Sequence, residues 1–331
     1  MMKKGINYDT GFLPEPDRSR KAFDRDTVRR DLQVIARELS CRAVRVSGGD
    51  PARLAVAAEE AGGDPARLAV AAEEAAAAGL EVWYAPFPVD LTPEETLPML
   101  AECATKAEEL RAGGAEVVLV AGCEASAFLS GFMPGETYGE RLGSLTEASP
   151  EWWSREIPAI TERLDSYLAE VAATVRPLFG GRITYASAPW EFVDWTPFDV
   201  VGLDAYRAAY NAETFRDELR ARSGQGKPVA VTEFGTCAYR GAGERGGSAY
   251  LVPEGAVPDE DEQVRYLDEL LDVFEQEGVE TALWFTFAGF TRIGRDNQAD
   301  LGSYGVVRML DETRWEPKAA FHAMATRYAR S

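Results

Sequence analysis

The feature that most constrains the fold is a regular alternation of short apolar runs with longer helical patterns along the chain. Eight of the runs are rich in β-branched and aromatic residues, as buried strands are. These predicted strands lie at residues 5–9, 42–47, 80–85, 116–121, 182–186, 199–204, 228–233 and 281–286. Helical patterns between them include residues 26–39, 93–112, 152–178, 212–223 and 259–277. Strands that alternate with helices favour parallel βα units, and eight such units favour a closed (β/α)8 TIM barrel.

A doubly wound parallel sheet is the alternative fold. It would normally carry a Gly-rich phosphate loop after its first strand, and residues 7–12 lack the GxGxxG pattern. A length of 331 residues suits one barrel with insertions, so we predict a single domain over residues 1–331. Long loops follow the fourth, seventh and eighth strands, at residues 123–150, 234–258 and 287–305. They lie on the side of the barrel where active sites are found.

One internal repeat interrupts the connection between the second and third strands. Residues 48–61 recur unchanged as residues 62–75, a tandem duplication of 14 residues over residues 48–75. Each copy contains Asp-Pro, which is typical of a helix start with Asp as the N-cap and Pro as the first helical residue. Because Pro65 should break a continuous helix, we expect two short helices, or one helix preceded by a helical insertion. The repeat carries no evident chemistry.

The composition excludes several classes of protein. With 55 acidic and 35 basic residues, the net charge of −20 disfavours binding to nucleic acid or to an anionic membrane. The sequence shows no signal peptide and no run of apolar residues long enough to span a bilayer. Its four cysteines lack CxxC spacing, which predicts reduced thiols in a cytoplasmic protein and no zinc site. They are Cys41, Cys103, Cys123 and Cys237.

The histidine count limits the chemistry further. The only histidine is His322, within a helical pattern near the C-terminus. Catalysis by Ser-His-Asp or Cys-His groups and His-rich metal sites are therefore disfavoured. If the chain is a hydrolase, carboxylates are the side chains expected to transfer protons and to attack the substrate, without a metal or another cofactor.

Two carboxylates stand at the ends of opposite predicted strands. Glu233 ends the seventh strand, and Glu124 follows the fourth. Glycoside hydrolysis requires such a pair flanking the scissile bond, with environments that separate the two pKa values. Arg45 and Tyr206 could keep Glu233 ionised, whereas apolar loop residues near Glu124 could keep it protonated. Glu191, after the fifth strand, is the rival for the acid.

The strand order and several short motifs resemble the large clan of retaining (β/α)8-barrel glycoside hydrolases, which carry catalytic glutamates on strands four and seven. Thr232-Glu233-Phe234-Gly235 is similar to the clan's nucleophile strand, and residues 198–206 are similar to its sixth strand. Residues 43–46, which contain Arg45, resemble the second strand, and residues 300–307 resemble a late loop. Trp284 matches an eighth-strand Trp that forms the floor of the sugar subsite.

The resemblance implies that Glu233 is the nucleophile and Glu124 the acid/base of a glycosidase acting on a small glycoside or an oligosaccharide. It also implies that Arg45 lies beneath the site and that Tyr206 hydrogen-bonds the nucleophile. Further predicted binding residues, from their places at strand ends and in the following loops, are Asp204, Trp190, Asp9 and Asn7.

One position departs from the pattern. The clan usually has Asn before the acid/base Glu, where it binds the sugar 2-hydroxyl, and this chain has Cys123, a weak hydrogen-bonding partner. Two alternatives therefore stay open. The barrel could bind a sugar, a metabolite or a partner protein without hydrolysis, or it could use the acid pair for isomerisation or elimination.

Overall fold

A computed structural model describes residues 1–15, 17–62, 79–224, 226–293 and 300–330. Within these residues, eight parallel strands form one sheet in the order β5-β4-β3-β2-β1-β8-β7-β6. They are β1 (Lys3–Asp9), β2 (Ala43–Gly48), β3 (Glu81–Pro86), β4 (Val117–Cys123), β5 (Arg182–Ala186), β6 (Val201–Asp204), β7 (Val229–Phe234) and β8 (Thr281–Trp284).

The two outer strands of this order meet and close the barrel. Ser187 pairs with Leu203 in a parallel bridge, and the amide of Ser187 donates to the carbonyl of Gly202 at 3.0 Å. β5 and β6 are therefore neighbours, and the (β/α)8 barrel predicted from the sequence is confirmed. A doubly wound sheet, which would leave these edges apart, is excluded.

The helices lie between the strands and cover the outside of the barrel. The described α-helices are α1 (Arg25–Arg37), α2 (Pro51–Gly62), α3 (Pro93–Ala112), α4 (Ala125–Phe128), α5 (Tyr138–Glu147), α6 (Pro150–Val175), α7 (Phe215–Ser223), α8 (Asp261–Gln276) and α9 (Ala319–Tyr328). An antiparallel pair, β9 (Val307–Met309) and β10 (Trp315–Pro317), precedes α9. None of the helices in the described ranges combines the length and apolar character that crossing a bilayer requires.

Local sequence signals explain where the longer helices begin. Thr92 and Glu95 form a reciprocal capping box at the start of α3, and the hydroxyl of Ser149 accepts from the amide of Trp152 at the start of α6. In the first copy of the repeat, Asp50 accepts from the amide of Ala52 at 2.9 Å, as the Asp-Pro signal predicts. The expected break at Pro65 and the rest of the second copy lie largely outside the described residues.

Strand alternation divides the core into two layers. Apolar side chains fill the barrel interior, among them Ala43, Trp83, Val118, Val120, Ala230 and Leu283. The intervening positions face the helices and join the larger outer core, among them Val44, Val82, Leu119, Val231 and Ala282. Because side chains alternate along a strand, the side that each strand-end residue faces can be counted from these layers.

Candidate active site

The carboxylate of Glu233 lies at the C-terminal end of β7 and contacts three side chains. Nη1 of Arg45 donates to Oε1 at 2.6 Å, and the hydroxyl of Tyr206 donates to Oε2 at 2.9 Å. Sγ of Cys123 lies 3.8 Å from the same Oε1 atom. Only 8% of Glu233 is exposed, and Arg45 is fully buried. The guanidinium and the phenol together compensate a buried negative charge on Glu233.

A β-bulge in β7 orients the side chain of Glu233 towards Arg45, Tyr206 and Cys123. Towards β6 the register passes from Leu203↔Val231 directly to Asp204↔Glu233, so β7 contains one extra residue. The register with β8 shifts over the same residues. As a result, Thr232 and Glu233 both reach polar groups of the interior, although neighbouring residues of a regular strand face opposite sides.

A second bulge lies in β4, just before Glu124. Val120 pairs with Thr184 and Cys123 with Ala186, so β4 again has one extra residue relative to β5. Gly122 adopts a φ of 117°, which glycine tolerates and other residues rarely adopt. The bulge turns Cys123 into the barrel interior and places Glu124 at the barrel mouth.

Asp204 lies beneath Glu233 at the end of β6 and is fully buried. It accepts a hydrogen bond of 2.7 Å from the hydroxyl of Thr232, and Oδ2 lies 3.6 Å from Sγ of Cys123. Burial, and then the charge of Glu233, raise the pKa of Asp204 well above its usual value. Burial and the charge of Asp204 likewise raise the pKa of the Cys123 thiol. Cys123 is therefore a neutral S–H donor towards the two carboxyl groups.

Among the described residues, Cys123, Asp204 and Glu233 are also the one group whose donor atoms lie close enough together to share a metal ion. The atoms lie within 4.8 Å of one another. The guanidinium of Arg45, 2.6 Å from Glu233, already places a positive charge at this point. A divalent cation would have to overcome that repulsion, so the donor set fits a charge-balanced carboxylate better than a metal centre.

Glu124 connects β4 to the short helix α4. Its backbone lies in the left-handed region, with φ 42° and ψ 42°, and its amide donates to the carbonyl of Ala186 at 2.9 Å. The side chain is partly exposed. Burial, and then the charges of Asp204 and Glu233, raise the pKa of Glu124 well above its usual value. Glu124 and Glu233 therefore have different surroundings: Glu124 lies at the barrel mouth near other acidic side chains, and Glu233 is hydrogen-bonded by Arg45 and Tyr206.

Glu191, the rival acid, lies close to the start of α4 but is 3% exposed. Its carboxylate accepts from the amides of Ser126 and Ala188 and from the hydroxyl of Tyr185, at distances between 2.9 and 3.0 Å. These donors occupy both oxygens. The two acids therefore differ in the structure: Glu191 is buried with hydrogen bonds to both carboxylate oxygens, whereas Glu124 lies at the mouth of the barrel.

The predicted tryptophans take different places. Trp190 is partly exposed, and its indole N–H donates to the hydroxyl of Ser126 at 3.0 Å, two residues after Glu124. Trp284 is fully buried, donates to the carbonyl of Tyr304 and packs its ring against Phe234 at 5.3 Å. In this position Trp284 has no exposed face on which a sugar could stack.

Two aromatic residues of the mouth were not predicted. Phe285 is partly exposed and packs on Tyr304 at 5.6 Å. The alternation of side chains along β8 predicts the position of Phe285, because Leu283 faces the interior and the residue two positions later must face the same side. Tyr250 lies in the loop after β7, and burial and the charge of Glu124 raise its pKa. No periodic pattern marks Tyr250, since its loop is irregular.

The two predicted residues of the first strand have internal roles. The amide nitrogen of Asn7 donates to the carbonyls of Thr232, Leu283 and Trp284 at 3.0–3.3 Å, which ties β1 to the ends of β7 and β8. Asp9 accepts from the amide of Gly11 and the hydroxyl of Ser19 at 2.6 and 3.0 Å, which fixes the loop after β1.

The comparisons with known proteins rest on structure alone. No protein-family model matches the sequence. No curated protein matches it either. A GH113 β-1,4-mannanase structure aligns over 100% of both chains with a TM-score of 0.64 and 15% sequence identity.

Other solved structures align equally fully. The GH113 β-mannanase from Alicyclobacillus acidocaldarius aligns over 99% of this chain and 97% of its own, with a TM-score of 0.60 and 17% identity. An apo β-glucosidase aligns over 100% and 99%, with a TM-score of 0.57 and 12% identity. At these identities the likeness concerns the fold. The chain has the (β/α)8 barrel fold of these glycoside hydrolases over its whole length.

Proposed function

We propose that the chain is a retaining glycoside hydrolase that uses Glu233 as nucleophile and Glu124 as acid/base. The observation that carries the proposal is the opposite environment of the two glutamates. Arg45 and Tyr206 donate to Glu233, whereas burial and neighbouring carboxylates raise the pKa of Glu124. A carboxylate beside a protonated carboxylic acid at the mouth of a barrel is the arrangement that double displacement at an anomeric carbon requires.

The reaction would proceed in two steps. First, a carboxylate oxygen of Glu233 bonds to the anomeric carbon while the bond to the leaving oxygen breaks and Glu124 transfers its proton to that oxygen. Second, water attacks the anomeric carbon, Glu124 takes a proton from the water, and the bond to Glu233 breaks. Both residues return to their starting states, and the sugar keeps its configuration.

We propose a β-linked glycoside or oligosaccharide as the substrate. The names of the structural neighbours support this class, since they include β-1,4-mannanases and a β-glucosidase. Trp190 and Phe285, both partly exposed at the mouth, would offer ring faces to the sugar. The charge of Arg45 beside Glu233 supports chemistry without a metal ion, and the four buried free cysteines support a cytoplasmic location.

The test is hydrolysis of a panel of aryl β-glycosides by the wild type and by Glu233→Gln. We expect kcat/KM to fall at least about 10³-fold in the variant, because the covalent route is lost. ¹H NMR of the first product should show the β anomer. A 2-deoxy-2-fluoro aryl glycoside should label the peptide that contains Glu233, as seen by mass spectrometry. Undiminished hydrolysis by Glu233→Gln would contradict the proposal.

A second function is favoured by Cys123, whose weakly bonding thiol lies against Glu233 at 3.8 Å. The barrel would then bind a glycoside or a glycosylated metabolite without cleaving it. Calorimetric binding of glycosides that the wild type leaves intact would support this function. Isomerisation or elimination by the same two acids would instead appear in the NMR spectra as a rearranged or unsaturated product.

A further inference from the structure

The side chain of Glu191 is buried beneath the backbone that follows Glu124. The amide of Ser126 donates to Oε1 of Glu191 at 3.0 Å, and the hydroxyl of Tyr185 donates to Oε2 at 2.9 Å. The hydroxyl of Tyr185 in turn accepts from the amide of Ala125 at 2.6 Å. The two backbone amides that follow Glu124 therefore donate their hydrogen bonds to the Tyr185–Glu191 pair.

This support matters because the backbone of Glu124 is in an unfavourable conformation. With φ 42° and ψ 42°, Glu124 lies in the left-handed region, which costs a non-glycine residue on the order of 1–3 kcal/mol unless its surroundings hold it. The helix that follows has four residues and no side-chain cap from Glu124 itself. The bonds from Ala125 and Ser126 to the pair supply the missing acceptors.

We propose that Glu191, acting with Tyr185, is a positioning residue that fixes the backbone of Glu124 and so aims its carboxyl at the leaving oxygen of the substrate. This inference rests on the proposed function, because it assigns Glu124 the role of acid/base. Glu191 itself, 3% exposed and bonded on both oxygens, does not reach the substrate.

The contacts of Glu191 also define its charge. The amides of Ser126 and Ala188 and the hydroxyl of Tyr185, which already accepts from Ala125, donate hydrogen bonds to Glu191, and the hydroxyl of Ser126 also interacts with it. A protonated Glu191 would need an acceptor among these groups. The carboxylate form satisfies the two amides and the phenol without rearrangement, so these hydrogen bonds favour an anionic Glu191 close to Glu124, although burial raises its pKa.

That anion acts on the proton of Glu124. Burial comes first among the causes that raise the pKa of Glu124, followed by the charges of Asp204, Glu233 and Glu191, while Arg45 opposes them. Further titratable groups that interact with Glu124 include Cys123, Tyr206, Arg222 and Tyr250. Removal of the charge of Glu191 should therefore lower the pKa of Glu124 and narrow the pH range in which it is a proton donor.

The experiment compares Glu191→Gln and Tyr185→Phe with the wild type on two aryl β-glycosides. The first substrate releases 4-methylphenol, a poor leaving group that must be protonated by the acid as it departs. The second releases 2,4-dinitrophenol, which departs without protonation. We expect kcat/KM for the first to fall about 10²-fold in both variants, and that for the second to fall less than about tenfold. In Glu191→Gln the alkaline limb of the pH profile should also move to lower pH. Glu170→Gln, exposed on α6, is the matched control and should match the wild type.

A readout without turnover separates this inference from the proposed function. The pKa of Glu124 is followed by ¹³C NMR of labelled carboxyl groups, with its signal assigned from Glu124→Gln, and folding is checked by thermal unfolding. We expect Glu191→Gln to lower this pKa by about half a unit or more.

If the wild type cleaves no glycoside, the proposed function fails but this titration still decides the role of Glu191. An unchanged pKa of Glu124, or equal losses on both leaving groups with an unchanged pH profile, would overturn the inference. Should Glu191→Gln not fold, Tyr185→Phe still tests the leaving-group pattern.

Discussion

At the scale of single residues, Glu124 shows what a carboxyl group with a raised pKa costs the fold. Burial and three neighbouring carboxylates oppose its charge, so its pKa in the folded protein lies well above the value in an unfolded chain. Between those two values the folded state binds more protons than the unfolded state. The free energy of unfolding must therefore fall as the pH rises through this window.

The neutral substitution Glu124→Gln should abolish this fall in the free energy of unfolding with rising pH. We expect the variant to be more stable than the wild type at pH 7, because glutamine carries no charge that burial and the neighbouring carboxyl groups oppose. Urea denaturation at several pH values measures the difference, which should vanish below about pH 4, where the unfolded carboxyl is also protonated.

Glu254→Gln is the control for this prediction, because Glu254 is exposed in the loop after β7. It should change the free energy of unfolding by less than about 0.5 kcal/mol at every pH. Equal stability of Glu124→Gln and the wild type at pH 7 would mean that ionisation of Glu124 costs the fold nothing. The role of Glu124 as a protonated acid would then lose its electrostatic basis.

At the scale of elements, the two bulges decide what the sequence could reveal about the site. The apolar runs predicted all eight strands within about two residues of their ends, and they placed Glu124 after strand four and Glu233 at the end of strand seven. Simple alternation, however, places Cys123 and Glu233 on the helix side of their strands. Only the register shifts turn both residues to the interior, and a shift of one residue leaves no mark on hydrophobic periodicity.

The eighth strand shows the converse. There alternation holds, and it places Trp284 against Phe234 in the outer core and Phe285 towards the mouth. The resemblance points to Trp284 because of its residue type. Alternation from Leu283, which faces the interior, points instead to Phe285 as the residue on the interior side.

The loop that follows Glu124 depends on one buried cation. Arg141, on α5, is fully buried, donates to the carbonyls of Ala127 and Phe128 at 2.7 and 3.0 Å, and forms an ion pair with Asp90. Asp90 also accepts from the amide of Tyr138. Arg141 thus joins the end of α4, the loop after β3 and the start of α5.

Arg141→Met should keep the packing of the aliphatic part of the side chain. It should lose the hydrogen bonds to the carbonyls of Ala127 and Phe128 and leave Asp90 without its counter-ion. We expect the free energy of unfolding to fall by about 3 kcal/mol, because two carbonyls lose their donor and the partly exposed Asp90 loses its counter-ion. Hydrogen exchange at the amides of residues 126–129 should become faster, and urea denaturation gives the stability.

The matched variant is Arg155→Met, because Arg155 is exposed on α6 and pairs with its neighbour Glu156. An exposed pair contributes less than about 1 kcal/mol, so this control should change little. If both arginine variants lost the same stability, or if exchange in residues 126–129 stayed slow in Arg141→Met, Arg141 would not be what orders the loop.

At the scale of the whole molecule, closure of the barrel depends on the seam between β5 and β6. Strand count and length predicted a closed barrel, but no sequence pattern shows how closely the backbones of β5 and β6 approach each other. In the structure a Cβ atom on Gly202 would lie 2.1 Å from the carbonyl oxygen of Tyr185. The same seam carries the Tyr185 hydroxyl that contacts Glu191, and it ends at Asp204 beneath Glu233.

Gly202→Ala should therefore act on both the fold and the site. We expect it to destabilise the protein by about 3 kcal/mol or more, because the atom in the way belongs to the backbone and cannot rotate aside. Gly143→Ala is the control: Gly143 lies within α5, and a Cβ there would meet nothing within 4 Å. That change should instead stabilise the protein by up to about 1 kcal/mol, since alanine favours a helix. Thermal and urea unfolding of both variants measure the difference, and a Gly202→Ala protein as stable as the wild type would show that β5 and β6 are not in direct contact in solution.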